Sequence, residues 1–105
     1  MMTVDQFAAL TQRVIASQGF DEFQPTACYP GRQEVVALAG LPPDVEPEPA
    51  VLAWAAKRAK RQELHFVAFK TGPAKFTVVR VDGTERESAV FEVPDAAPGT
   101  LGEPK

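Results

Sequence analysis

Apolar side chains recur at helical spacing near the N-terminus and predict an amphipathic helix over residues 4–18. One stripe of this helix is apolar and holds Phe7, Leu10, Val14 and Ile15. That recurrence is the 3.6-residue period of a helix with one face against a core. Thr3 and Gln6 have the spacing of a capping box, in which each side chain bonds the backbone N–H of the other. Gly19 suits the positive φ with which many helices end.

A β-hairpin follows this helix. Residues 23–29 and 33–38 flank Pro30 and Gly31, where proline presets the first central turn position and glycine accepts a positive φ at the second. Pro25 has no N–H to donate to a neighbouring strand. We therefore expect the first strand of this hairpin to lie at an edge of the sheet.

A proline-rich connection and a second helix come next. Residues 41–49 hold four prolines, which favour extended backbone, and the helix is predicted over about residues 49–62, with Pro49 at its first position. Its apolar side consists of Val51, Leu52, Ala55 and Ala59. Acidic residues precede this helix and basic residues fill its last turns, which complements the helix dipole.

The final third of the chain predicts three strands. Residues 64–70 are apolar on both faces, which is typical of a central strand. Residues 76–81 and 84–93 flank Asp82-Gly83, a strong signal for a two-residue hairpin turn.

That turn predicts a register in which Arg80 lies opposite Glu85, and it sorts the side chains of this hairpin onto two faces. We expect the face with Phe76, Val78, Ala89 and Phe91 to lie against the helices. The other face is mixed and tolerates water; it consists of Thr77, Val79, Val81 and Arg86. If uncovered, it is a candidate surface for a partner or for a second copy of the chain.

The order α-β-β-α-β-β-β predicts an α+β fold. We expect a two-layer sandwich, in which a mostly antiparallel sheet of about five strands carries both helices on one face. Residues 1–93 are predicted to form one globular domain. Residues 94–105 are rich in Pro and Gly with one large apolar residue, and we expect a flexible tail.

Composition narrows the function classes. The chain has 105 residues, one cysteine and one histidine, which suits one domain and excludes an intrachain disulfide and a multi-histidine metal site. We expect no metal, because Glu63 and His65 are too few ligands for a closed site, and no cofactor, because no glycine-rich phosphate loop is present. There is no secretory signal pattern and no apolar run of membrane-spanning length, so we expect a cytoplasmic protein that does not bind a membrane.

Charge is distributed unevenly along the chain. The net charge is −3, yet residues 57–80 hold seven basic residues and one acidic residue. Such asymmetry bears on partners rather than on fold. The acidic pI of about 5.1 argues against a dedicated nucleic-acid binder, which is usually basic overall.

The basic residues at the end of the second helix are the candidate partner-binding site. Helical spacing places Trp54, Lys57 and Arg61 on one edge, with Arg58 on the other side of Trp54. Trp and Arg are favoured anchors of protein interfaces, so we expect a protein partner. One alternative is single-stranded nucleic acid, bound also by Lys70, Lys75 and Arg80. The other is purely architectural: Trp54 closes the core and the cations solubilise the helix.

Catalytic chemistry has few candidate residues. Cys28 and His65 are one thiol and one imidazole, so a small enzyme using this pair, or Glu63 on the same side of the strand as His65, is a further alternative. Nothing in the sequence places Cys28 and His65 together, and each has an ordinary role as a buried or half-buried strand residue. We therefore expect a non-enzymatic binding or accessory protein.

Overall fold

A five-stranded antiparallel sheet with one helix on each face forms the core of the protein. The computed structural model describes residues 2–42 and 44–93. In chain order its elements are α1 (Val4–Gln18), β1 (Thr26–Tyr29), β2 (Glu34–Ala37), α2 (Pro47–Arg58), β3 (His65–Gly72), β4 (Lys75–Asp82) and β5 (Glu85–Glu92). The α+β class, the antiparallel five-stranded sheet and the element order are as predicted. The predicted tail, residues 94–105, lies outside the described residues.

The helix α1 begins and ends where the sequence predicts. The hydroxyl of Thr3 accepts from the N–H of Gln6 at 3.1 Å, and the Gln6 side chain accepts from the N–H of Thr3 at 2.8 Å. Such a cap stabilises a helix by about 1 kcal/mol. At the other end Gly19 has φ 93° and its N–H donates to the carbonyl of Ile15 at 2.7 Å.

The strand order is β2-β1-β3-β4-β5. The prediction of a central β3 is confirmed, because β3 is the third of the five strands and is buried on both faces. The prediction that the first strand is an edge strand was wrong: β1 lies between β2 and β3. Pro25 precedes β1, so its missing N–H removes no bond within the strand, while its carbonyl still accepts from Leu38 at 2.7 Å.

The hairpin of β4 and β5 has a register different from the predicted one. Asp82 pairs with Glu85 and Arg80 lies opposite Glu87, so the two turn residues are Gly83 and Thr84. Of these two, Gly83 alone has a positive φ, 64°, as a type II′ turn requires at its first central position. Each residue of β4 therefore pairs two positions further along β5 than predicted. Because side chains alternate with a period of two, this shift leaves every side chain on its predicted face.

The two helices lie on opposite faces of the sheet, and their predicted placement on one face was wrong. The cluster under α1 contains Phe7, Ile15, Cys28, Phe66, Phe76 and Val78. The cluster under α2 contains Tyr29, Val51, Ala55, Val67, Val79 and Val81. The architecture is therefore three-layered, because both faces of β3 are apolar and each needs a cover. The face predicted to tolerate water lies beneath α2, and only Arg86 of its four named residues is exposed.

The helix α2 is shorter than predicted and begins earlier. Pro47 rather than Pro49 is its first residue, and it ends at Arg58 instead of near residue 62. Pro49 is tolerated in the first turn, where backbone N–H groups have no partner within the helix. Neither helix of the described part of the chain has the length and apolar character needed to cross a membrane.

A buried tyrosine hydroxyl joins α2 to the sheet. Tyr29 in β1 is fully buried and donates to the carbonyl of Ala55 at 2.8 Å. We predict that Tyr29→Phe lowers the free energy of unfolding by about 1 kcal/mol, because this buried carbonyl loses its side-chain donor. Urea unfolding followed by circular dichroism measures the change. Thr11→Val is the matched control, since its hydroxyl bonds only the Phe7 carbonyl within α1. An effect no larger than that of the control would contradict the prediction.

Candidate functional site

The predicted basic edge, defined as Trp54, Lys57, Arg58 and Arg61, lies at the C-terminal end of α2 and in the turn after it. Lys57 and Arg58 are exposed in the last turn of the helix, and Trp54 is partly buried against the cluster under α2. Arg61 is exposed but lies beyond the end of the helix. Its predicted placement on the helix was therefore wrong, although it remains close in sequence to the other three.

The turn that carries Arg61 has an unusual backbone. Arg61 has φ 53° and Gln62 has φ 60°, and two consecutive non-glycine residues in this region are costly for L-amino acids, by roughly 1–2 kcal/mol each. A conformation of this kind persists only where surrounding contacts enforce it. The contacts that enforce it come from Glu63 and from Arg32.

Arg32 joins three segments of the chain. Its Nε donates to both carboxylate oxygens of Glu63 at 3.2 and 3.1 Å, and its Nη2 donates to Oε1 of Glu63 at 3.0 Å. The same Nη2 donates to the carbonyl of Arg58 at 2.8 Å. The guanidinium also pairs with Glu34 and lies 4.4 Å from the centre of the Tyr29 ring. It thus ties the β1–β2 turn to the end of α2 and to the start of β3.

Glu63 closes the turn from the other side. Its Oε1 accepts from the backbone N–H of Lys60 at 2.9 Å. The hydrogen bond from Arg32 holds the pKa of Glu63 below its usual value, and the Lys60 N–H acts in the same direction. The pKa of Arg32 is raised, first by its hydrogen bond to Glu63. Both groups therefore stay charged across the physiological range.

Sequence reasoning did not find Arg32. Arg32 and Glu63 are 31 positions apart, and no local pattern connects a residue of one hairpin turn with a residue before another strand. The available signal was weak: Glu63 is the one acidic residue within the basic stretch 57–80.

The four members of the basic edge differ in how much of their charge is used inside the molecule. Arg58 Nη2 lies 3.7 Å from a carboxylate oxygen of Glu34, and its carbonyl is occupied by Arg32. For Lys57 and Arg61, residues 2–42 and 44–93 supply no ion pair. These two exposed cations are the ones left to meet an external anion. Trp54, one helical turn before Lys57 in α2, contributes half-buried ring surface.

Cys28 and His65 are on opposite faces of the sheet and do not form a pair. Cys28 packs in the cluster under α1. His65 stacks on Tyr29, on the side of α2, with ring centres 5.5 Å apart. The sheet itself separates the thiol from the imidazole. An enzyme that uses this pair as nucleophile and base would need the two groups within hydrogen-bond distance, and this fold does not bring them together. Burial also raises the pKa of the Cys28 thiol, which disfavours the reactive thiolate.

Glu63 and His65 do not converge on a shared ligand. The imidazole Nδ1 lies 2.8 Å from the backbone carbonyl of Glu63, to which it donates, while the Glu63 carboxylate is held by Arg32. His65 Nε2 is buried and has no hydrogen-bond partner in the described part of the chain. No group of three or more His, Cys, Asp or Glu residues with the proximity to hold a metal ion occurs within residues 2–42 and 44–93.

No protein-family model matches this chain, and comparisons with curated proteins and with solved structures give no significant match.

We predict that Glu63→Gln lowers the free energy of unfolding at neutral pH and makes it less sensitive to a fall in pH. A carboxylate whose pKa is depressed in the folded state stabilises the protein above its unfolded pKa, about 4.3, and this contribution is lost as the pH falls through the folded value. The wild-type urea midpoint should therefore fall more steeply below about pH 4.3 than that of the variant. Glu85→Gln, at an exposed position of β5, is the control. Parallel pH profiles for Glu63→Gln and wild type would contradict the prediction.

We predict that Cys28 resists alkylation in the native protein, because it is buried and its pKa is raised. Iodoacetamide labelling at pH 8, read by mass spectrometry, should be slow without denaturant and fast in urea. Equally fast labelling under both conditions would show that the thiol is accessible in the folded protein.

Proposed function

We propose that this protein is a non-enzymatic binding protein that recognises an acidic surface of a protein partner through the basic edge. The observation that carries the proposal is the turn at Arg61. The fold holds Arg61 and Gln62 in left-handed backbone and leaves the Arg61 side chain exposed. Non-glycine residues in such conformations cluster at functional sites.

Electrostatics support the same surface. Lys57 and Arg61 are exposed and have no ion pair among the described residues, in a chain whose net charge is −3. A local positive patch on an acidic protein attracts an acidic partner, while the acidic remainder of the surface repels it. Together these two effects orient the partner towards the patch. Trp54 adds apolar area next to the cations, and Trp and Arg are enriched among residues that dominate binding energy.

A nucleic-acid partner is the alternative, and the structure gives it less support. Stacking of a base needs an open aromatic face, whereas Trp54 is partly buried. Of the additional cations that this alternative requires, Arg80 pairs with Asp82 at 3.2 Å. Lys70 donates to the carbonyl of Asp21 at 3.1 Å.

We further propose that the protein acts in the cytoplasm, where reducing conditions suit its free thiol, Cys28.

We predict that Lys57→Glu with Arg61→Glu abolishes capture of the partner. The immobilised full chain would be exposed to lysate of its source organism, with and without nuclease, and bound proteins identified by mass spectrometry. Reversal of both charges removes the attraction to an acidic surface. Lys75→Glu with Arg86→Glu makes the same change in net charge elsewhere and should leave capture intact.

Two further measurements separate the alternatives. Arg61→Gly removes the guanidinium at a position where glycine adopts the left-handed backbone without strain. We expect this variant to keep the fold and to weaken capture, so the loss of binding would come from the missing side chain rather than from unfolding. Binding to fluorescent oligothymidylate should be absent at roughly 50 mM salt. A captured set that is unchanged by the double reversal, or that disappears with nuclease treatment, would contradict the proposal.

A further inference from the structure

An apolar groove lies between α1 and the β1–β2 side of the sheet. It has a volume of about 370 Å³, and its walls include Phe7, Leu10, Val14, Phe23, Cys28 and Val35. It exists because α1 packs over β3, β4 and β5 and leaves this side of the sheet uncovered. Leu10 is 43 %, Val14 42 % and Val35 65 % exposed, so the groove presents apolar surface from both the helix and the sheet.

The strand β2 borders this groove and is an edge of the sheet. No described strand pairs with its outer side. The N–H of Leu38 donates to Pro25, and bonding direction alternates along an antiparallel strand. Val36 therefore bonds towards β1, whereas the backbone groups of Val35 and Ala37 are directed outwards. The Val35 side chain lies on the groove side, opposite Cys28.

The two edges of the sheet differ in their protection against added strands. The edge strand β5 carries charged side chains at Glu85, Arg86, Glu87 and Glu92, and charges on an edge strand discourage pairing. In β2 the one charged residue, Glu34, is engaged by Arg32 and Arg58. Val35 is the large apolar side chain that β2 exposes to solvent. An approaching strand therefore meets less resistance at β2 than at β5.

A cation on the groove wall indicates the charge of the occupant. Arg13 lines the groove and is exposed, and it has no ion pair within residues 2–42 and 44–93. A carboxylate on a bound segment would meet this guanidinium at the rim of an otherwise apolar surface, where charge-assisted hydrogen bonds are strong.

We propose that the outer edge of β2 and this groove bind an extended peptide segment of another protein. The segment pairs with the outward backbone groups of Val35 and Ala37, places apolar side chains at alternate positions towards the groove, and presents an acidic residue to Arg13. Strand addition to an open sheet edge is a common mode of peptide recognition. The groove is on the α1 face, away from the basic edge, so this proposal does not rest on the proposed function.

A second copy of the chain fits this surface less well. The one charged residue of β2, Glu34, is already engaged by Arg32 and Arg58. A second β2 strand therefore has no free carboxylate to present to Arg13, whereas a peptide with an acidic residue does.

The test is selection of random dodecapeptides displayed on phage against the immobilised full chain. We expect enrichment of sequences with alternating apolar residues and at least one acidic residue. For the best synthetic peptide, Ala37→Pro should weaken binding ~tenfold, because it removes an outward N–H without breaking a bond to β1. Val90→Pro is the matched control: the bond from Val93 to Ala74 places the N–H of Val90 on the outer side of β5.

A second readout does not depend on proline variants. Bound peptide should slow hydrogen exchange at the amides of Val35 and Ala37, and Arg13→Glu should weaken binding of the acidic peptides. The proposal would be overturned by a selection that enriches no such sequences, or by exchange protection elsewhere on the protein. Concentration-dependent dimerisation that Ala37→Pro abolishes would assign the edge to a second copy instead.

Discussion

The ion pair of Arg32 with Glu63 is the interaction on which the shape of the candidate site depends. It joins three segments that are distant in sequence, and it supports the left-handed turn at Arg61 and Gln62. It also determines which charges remain available. Glu63 and Glu34 both pair with Arg32, so neither carboxylate neutralises Lys57 or Arg61. The basic edge keeps its positive charge for this reason.

The second constraint is the apolar character of β3 on both faces. Phe66 and Ala68 pack under α1, while Val67 and Phe69 pack under α2. Because each face needs its own cover, the helices separate, and the two proposed binding surfaces lie on different sides of the sheet. The groove beside α1 and the turn after α2 share no side chain. One helix per face also leaves part of the sheet near β2 open, which is the origin of the groove.

The sequence predicted those elements whose causes are local, and missed those whose causes are not. Thr3, Gln6 and Gly19 define both ends of α1 from within a few residues. The end of α2 could not be predicted, because residues 60–63 are compatible with a helix and the turn there is enforced by Arg32 from another hairpin. Lys57 and Trp54 were identified correctly as members of α2, whereas Arg61 was placed on a helix that had already ended.

The topology also implies an order of assembly. The strands β3, β4 and β5 are joined by tight turns, but Cys28 in β1 pairs with Phe66 in β3 across a loop of roughly forty residues, and closing a longer loop costs more chain entropy. Pairings distant in sequence slow folding. The three-stranded meander is thus favoured to form early, with the β1–β2 hairpin docking onto it later. The hairpin delivers Arg32, so a nascent chain acquires the Arg61 turn only near the completion of folding.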